Sequence, residues 1–495
     1  MENKDSQKQI LKSTGIVGGS QLISIIISII RTKVAALLLG PSGIGIIGIL
    51  QTALNLVRDA TGFGINYSGI KDIAEAHSSN EQERITRTIT IVRRWALWTG
   101  IFGMVITIVL CVPLSNYSFG NNSYSISIAI LSVTLLITSV SASQSALLQG
   151  LRMINQLAKV TLIGAILGTI VTLPLYWWFG EKGIVPGLIL TTLSGFFISW
   201  YYSRKIKVPR ISLSLNETIT GGWSMAKLGL FIVVSGFIAS ATMYAVRVLI
   251  VSKLNIEAVG HFQASWTISQ LYINIILNAM LADYFPRLSA INKDNLASNK
   301  LINEQLEMTL IVGIPMIIAL AAFANIAILV MYSSSFHASV SVLQWQMFGS
   351  FFTLISWPLG VMFLSKSKGG YSIMAGILWS VVYLIAIYYG WDYWGFEVLG
   401  IAFLIASAVN FVFVVFSVRK IGHFSFTKIN KQYIGYSMAV IIIIFLNILF
   451  VFGIYQYIIS GIVLIAASIF SFLELKKIID LKALFNKFNV RIRKR

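Results

Sequence analysis

The sequence predicts an all-α polytopic membrane protein of about 14 transmembrane helices, on three observations. Of its 495 residues 56% are hydrophobic and only 11% charged, and the mean hydropathy is +0.80, far outside the range of water-soluble domains. Apolar runs of about 20 residues recur along almost the whole length, and in hydrocarbon such runs must be helices, because every backbone polar group needs an internal partner. Finally, Lys and Arg gather in alternate connections, as they do in loops on one side of a membrane.

Taken in order, the first run (11–40) follows a polar, mixed-charge start, MENKDSQKQILKS, with no small-residue cleavage site, so it is expected to stay as a helix. The passage LGPSGIG ends it and opens 43–69, and the polar stretch 70–87 separates that helix from 88–113. Helices over 124–150 and 154–179 flank Arg152, and Tyr176-Trp177-Trp178 sit where an outer headgroup belt belongs. After 183–203, the polar segment 204–222 leads to 223–254, and LNIEAVG joins this to 259–286. The stretch 287–304 precedes 305–332 and 338–364. Tyr388-Tyr389-Trp391 and Tyr393-Trp394 mark the outer end of 371–390, and 397–418 follows. Helices 433–454 and 457–475 lie beyond the loop 419–432. The tail KKIIDLKALFNKFNVRIRKR has apolar residues at helical spacing among cations, and reads as a helix on the anionic inner leaflet or as a solvated basic tail.

With the N-terminus inside, 32 of the 38 Lys and Arg fall in cytoplasmic segments, which sets both termini in the cytoplasm. The same asymmetry explains the formal net charge of +20 without any nucleic-acid partner. Cys111 is the only cysteine, and His77, His261, His337 and His423 are scattered, so no disulfide, metal site or cofactor is expected. There is no sizeable extramembrane segment with converging carboxylates or histidines, so no catalytic residue is assigned and a membrane-bound glycosyltransferase or polymerase is disfavoured.

An internal repeat is visible. LGPSGIG (39–45) and LNIEAVG (254–260) stand 215 residues apart, and Arg31 and Arg247 precede them by eight and seven residues. The parallel implies two pseudo-symmetric six-helix lobes, 1–214 and 215–421, followed by 422–495 with two appended helices and the basic tail. Both lobes start on the same side, so the repeats are parallel.

Helical spacing gathers the polar residues of four helices into stripes. Gly18, Gln21, Ser24, Ser28 and Arg31 form one; Gln51, Asn55, Arg58 and Gly62 another, with Asp59 beside it. Ser240, Tyr244 and Arg247 lie on a third, and Gln263, Thr267, Gln270, Asn274 and Asn278 on the fourth. Facing lipid, such stripes are expensive, so they predict a hydrated, cationic cavity between the lobes. The competing readings are that Arg31, Lys33 and Arg247 snorkel to outer headgroups, that Arg58 and Asp59 are a structural pair, and that the Asn and Gln groups are interhelical glue. Guanidinium groups bind phosphate through fixed donors and stay charged at any pH, while Asn, Gln, Ser and Tyr suit sugar hydroxyls. A lipid-linked oligosaccharide offers both partners and a tail that stays in the bilayer.

RTKVAALLLGPSGIGIIGILQ, VSKLNIEAVGHFQA and ADYFPRLSAI, with its Tyr284, Pro286, Leu288 and Ser289, resemble the Wzx group of O-antigen and polysaccharide-repeat flippases in the MOP (MATE-like) superfamily. That resemblance implies a MATE-like fold that flips an undecaprenyl-diphosphate-linked glycan to the outer leaflet of a bacterial inner membrane, next to polysaccharide polymerase and chain-length machinery. It carries cavity cations onto Arg31, Arg58 and Arg247. The expected substrate-binding set is Arg31, Lys33, Arg58, Arg247, Gln51, Asn55, Gln270, Asn274 and Asn278, with Asp59 and Asp283 as groups for ion coupling. The alternatives are a lipid II flippase and a cation-coupled drug antiporter. The antiporter falls behind because such exporters rely on membrane-embedded carboxylates, of which this chain has few.

Overall fold

The computed structural model describes residues 2–478 except 80, 207 and 210, and side chains over 19–477 except 66, 67, 228, 231, 232, 276, 279 and 282. The basic tail over 479–495 and Gly18 of the first stripe lie outside what is described. Among the described residues there are helices and no strand. In chain order they are α1 (Glu2–Thr61), α2 (Ile65–Ser78), α3 (Gln82–Val109), α4 (Cys111–Phe119), α5 (Ser125–Leu131), α6 (Val133–Gly150), α7 (Ile154–Phe179), α8 (Ile184–Ser203) and α9 (Leu215–Lys253). They continue as α10 (Ile256–Ala290), α11 (Asn295–Ala322), α12 (Ala324–Met331), α13 (Ser339–Ser365), α14 (Gly369–Trp394), α15 (Val398–Gly422), α16 (Lys428–Phe450) and α17 (Ile454–Ile478).

Ten helical stretches among the described residues are long and apolar enough to cross a membrane. Three of them, Gly19–Thr61, Ile154–Ser203 and Gly369–Gly422, run to 43, 50 and 54 residues, about twice what one crossing needs. Each holds two of the runs read separately in the sequence.

Within α1 two helices meet at Gly40, which takes a non-helical φ 63° and ψ −171° immediately before Pro41, the place where LGPSGIG is read as ending one run and opening the next. The residue before a proline is pushed out of the α region, and a glycine there reaches positive φ without penalty. The expected single helix over 43–69 is instead broken at 62–64: Phe63 and Gly64 both have positive φ, 48° and 67°, and the chain restarts as α2. The apolar pattern runs through this break, so periodicity did not show it.

The chain divides into two compact units, Met1–Gln263 with Val330–Phe336, and Ala264–Leu329 with His337–Arg495. The repeat read in the sequence would divide it at 214/215 instead. The two divisions answer different questions, since a repeat describes chain symmetry and a unit describes which helices pack together. Here α9 packs with the first unit.

In the first unit, Ile65 and Ile73 of α2, Ile89 and Trp95 of α3, Leu147 of α6 and Met225 of α9 share one buried cluster. In the second, α13 is the most buried stretch, packed on α15 and α11. Tyr284 of α10 is buried and donates from its hydroxyl to the Pro358 carbonyl at 2.7 Å, so the ADYFPRLSAI passage fastens the end of α10 to α13. Asn303 of α11 is a hub: its side chain donates to the Ser425 carbonyl at 3.0 Å and accepts from the Thr427 and Asn430 nitrogens, holding the start of α16. Asn447 donates to Ser460 and to the Gln456 carbonyl, which closes the α16–α17 hairpin.

Candidate functional site

The densest polar arrangement in the first unit lies along the line where α9 runs antiparallel to the second half of α1 and to α2. One face of α9 is made of Gly222, Ala226, Gly229, Val233, Gly236 and Ser240, spaced by three and four residues, and Tyr244 and Arg247 continue it. Small side chains let helix backbones approach closely, and Gly222, Gly229 and Ser240 on this face each meet a definite neighbour, while Gly236 faces open space.

At the start of α9, Ser214 caps the helix in a capping box with Glu217, and Glu217 pairs with Arg87 of α3 at 3.0 Å. The Ser214 amide and hydroxyl, with Arg87 beyond them, hold the Glu217 carboxyl below its ordinary range against a small desolvation effect. Trp95 donates from its indole to the Thr218 carbonyl at 2.8 Å, with its ring against Gly222. Arg94 reaches the Leu213 carbonyl and Thr218. Two turns beyond Gly222, Gly229 lies against Gly64 in the break of α1, where a β-carbon at Gly64 would stand 3.1 Å from the Gly229 Cα. Phe63 packs edge-on against Trp95, ring centroids 6.3 Å apart, which holds the break in shape.

Further along, Ser240 donates to Asp59 Oδ2 at 2.5 Å. The other oxygen, Oδ1, lies 3.4 Å from Arg58 Nε. Arg58 is 46% exposed and Asp59 24%. Among the described residues Asp59 is the one side-chain partner of Arg58, so the two Nη groups are left without a protein acceptor. Arg58 occupies the last turn of α1, where the helix dipole favours a cation. Gln51 is exposed and Asn55 half-buried on the same stripe.

At the far end, Tyr244 shares a 2.9 Å hydrogen bond with Ser118 of α4. Arg247 is only 4% exposed, and donates to the Met243 carbonyl at 3.0 Å and to Gln263 Oε1 at 2.5 Å. Gln263 in turn fits over Gly48 of α1. The two passages of the internal repeat then meet backbone to backbone: a β-carbon on Gly45 would strike the Ile256 carbonyl, and one on Gly260 the Pro41 carbonyl.

The α9 stripe of Ser240, Tyr244 and Arg247 is therefore met by Asp59, Ser118 and Gln263, not by open water. Arg31 is half-buried, its Nη1 facing Gly168 of α7, and Lys33 is half-buried as well. In the second unit Gln270 is half-buried while Asn274 and Asn278 are exposed. Asp283 is exposed and pairs with Arg287 one turn later at 3.1 Å, a surface ion pair. Arg58, Gln51, Asn274 and Asn278 are thus the exposed members of the expected substrate-binding set. Ser240 and Gln263 stood on stripes in the sequence without an assigned role, and the small-residue face of α9 was the signal that would have paired them with α1. No cluster of three or more His, Cys, Asp or Glu able to hold a metal occurs among the described residues.

The family model described as polysaccharide biosynthesis protein matches residues 34–341. The lipid III flippase of Escherichia coli (strain K12) is 20% identical over 369 residues, covering 72% of this chain and 86% of that protein. Among solved structures, the lipid II flippase MurJ in an inward closed conformation matches with TM-score 0.67 at 14% identity, over 92% of this chain and 98% of that one. An inward-facing multidrug resistance MATE family transporter of the MOP superfamily matches with TM-score 0.66 at 15% identity, over 80% and 95%. The fold is that of the MOP superfamily. All three proteins are named as flippases or transporters, not enzymes.

Proposed function

The chain belongs to the polysaccharide biosynthesis protein family, and on that premise we propose that it is a flippase for an undecaprenyl-diphosphate-linked oligosaccharide, an O-antigen repeat unit or a relative of it. It would carry the headgroup from the cytoplasmic to the outer leaflet of a bacterial inner membrane. One observation supports this reading above the others: Arg58 is half-exposed beside a helix break, with no acceptor for its two Nη groups among the described residues. A fork of donors with no carboxylate filling it suits an oxyanion that comes and goes. The flippase names of two relatives add support.

In this reading Arg58 grips the diphosphate, assisted in other steps of the cycle by Arg31, Lys33 and Arg247. Gln51, Asn55, Gln270, Asn274 and Asn278 meet sugar hydroxyls. The two repeats, 1–214 and 215–421, alternate in access, with about 14 crossings and both termini in the cytoplasm. Asp59 or Asp283 is the group for ion coupling, and the membrane potential is a second energy source, worth about 2.3 kcal/mol per charge per 100 mV.

The test is Arg58→Ala in cells that depend on this protein. Surface polysaccharide is expected to vanish while the protein stays in the membrane and the lipid-linked unit accumulates on the cytoplasmic leaflet; Arg58→Lys is expected to keep part of the activity. Full surface polysaccharide in the alanine strain would overturn the site. A lipid II-type flippase is the second reading, favoured by the likeness to the lipid II flippase over 92% of this chain, and complementation of a strain lacking peptidoglycan precursor export separates the two. A drug antiporter for organic cations fits poorly with an open guanidinium whose neighbouring carboxylate is already engaged.

A further inference from the structure

We propose that Asp59 is the resident counter-ion of the anion site: it neutralises Arg58 while the site is empty, and passes to Ser240 alone when a diphosphate takes the guanidinium. The inference rests on the flippase reading and adds to it the means by which one cation both captures and releases its cargo.

The geometry has the asymmetry such an exchange needs. Arg58 and Asp59 are neighbours in sequence, and neighbours on a helix point about 100° apart, so the two cannot meet fork to fork. Their single contact is 3.4 Å, longer than the 2.7–2.9 Å or so of a charge-assisted hydrogen bond. The pair is loose by construction. The other carboxylate oxygen is already tied, at 2.5 Å, to the Ser240 hydroxyl on α9. Removing Arg58 from Asp59 therefore leaves the carboxylate with a partner, whereas a half-buried carboxylate stripped of every partner would resist the exchange.

Exposure also favours the exchange. The guanidinium is the more open of the two groups, 46% against 24%, so an incoming anion meets the cation first. A diphosphate carries more charge than a carboxylate and presents paired oxygens to the two open Nη groups, which the adjacent Asp59 cannot reach in that geometry. When the cargo leaves, Asp59 is still beside Arg58 and neutralises it again. Binding strong enough to capture and weak enough to release then follows from competition between one fixed carboxylate and one mobile phosphate.

The experiment measures inorganic pyrophosphate binding to the purified full-length protein in detergent, by calorimetry. Asp59→Asn removes the competitor and is expected to tighten binding by about tenfold, the scale of one screened charge contact. Ser240→Ala leaves both charges in place but takes away the second partner of Asp59, and is expected to weaken binding several-fold; Ser240→Thr keeps the hydroxyl and the wild-type affinity. In an Asp59→Asn background Ser240→Ala is expected to change nothing further. Unchanged or weaker binding in Asp59→Asn, with binding lost in Arg58→Ala, overturns the counter-ion while leaving the anion site standing. Wild-type binding in Arg58→Ala overturns the site itself. If Asp59→Asn does not fold, the sign of the Ser240→Ala effect decides, and unchanged affinity there overturns the proposal.

Discussion

Replacing Arg247 by alanine would strip Gln263 Oε1 and the Met243 carbonyl of a donor in a site that is only 4% exposed. A lost buried partner costs about 1–3 kcal/mol, so Arg247→Ala is expected to lower the melting temperature in detergent by several degrees. Arg58→Ala, at a half-exposed position, is expected to leave that melting temperature nearly unchanged while it abolishes transport; thermal unfolding of both variants checks the contrast. Glu217 gives a pH signature at the same scale. Its carboxyl is held below the ordinary 4.5 chiefly by the Ser214 amide and hydroxyl, so its contribution is present above 4.5 and lost as pH falls through the lowered folded value. The melting difference between wild type and Glu217→Gln is expected to persist from neutral pH down to 4.5 and to fade in stronger acid. Residue types and stripes were legible in the sequence, but their partners were not. Nothing in the spacing of Ser240, Tyr244 and Arg247 says whether that face meets water or Asp59, Ser118 and Gln263, because a hydrogen bond across helices depends on how two stripes are registered.

Among the elements, the helix ends marked by Gly and Pro were readable, since LGPSGIG forces a kink wherever it lies. The break at 62–64 was hidden, because Val57, Ala60 and Ile65 carry the apolar pattern across it, and the positive φ of Phe63 is accompanied by an edge-on contact of its ring with Trp95 that no spacing announces. The pairing of the two repeat passages was also hidden: their likeness was visible as similarity, not as contact. That contact makes a sharp prediction. Gly260→Ala forces a methyl into the Pro41 carbonyl and Gly45→Ala one into the Ile256 carbonyl, and overpacking of this kind costs about 1–3 kcal/mol. Both substitutions are expected to reduce the folded yield from membranes, read by size-exclusion chromatography, while Gly236→Ala, which has open space around it, is expected to match wild type.

Across the whole molecule, composition and hydropathy were enough for the helical membrane class, because a chain this apolar has few other ways to satisfy its backbone. The partition into units was beyond their reach. The repeat read in the sequence would divide the chain at 214/215, yet α9 packs with α1, α2 and α3, and the first unit runs on to Gln263. The second unit shows the same limit: ADYFPRLSAI stood out as a motif, but its job of fastening α10 to α13 emerges only when Tyr284 meets Pro358. Tyr284→Phe keeps the ring and removes the bond, so it is expected to cost about 1 kcal/mol of stability and to leave pyrophosphate binding alone.

The glycine-lined flank of α9 has a mechanical implication. A surface without protruding teeth cannot act as a ratchet, so axial sliding of α9 along its neighbour meets little steric friction, and the resistance comes from a few rivets: the Trp95 indole on Thr218, the Ser240 hydroxyl on Asp59, the Arg247 guanidinium on Gln263. Rivets of that kind fail singly, and the middle one is the one that would hold Asp59 by itself while a phosphate-bearing passenger occupies Arg58.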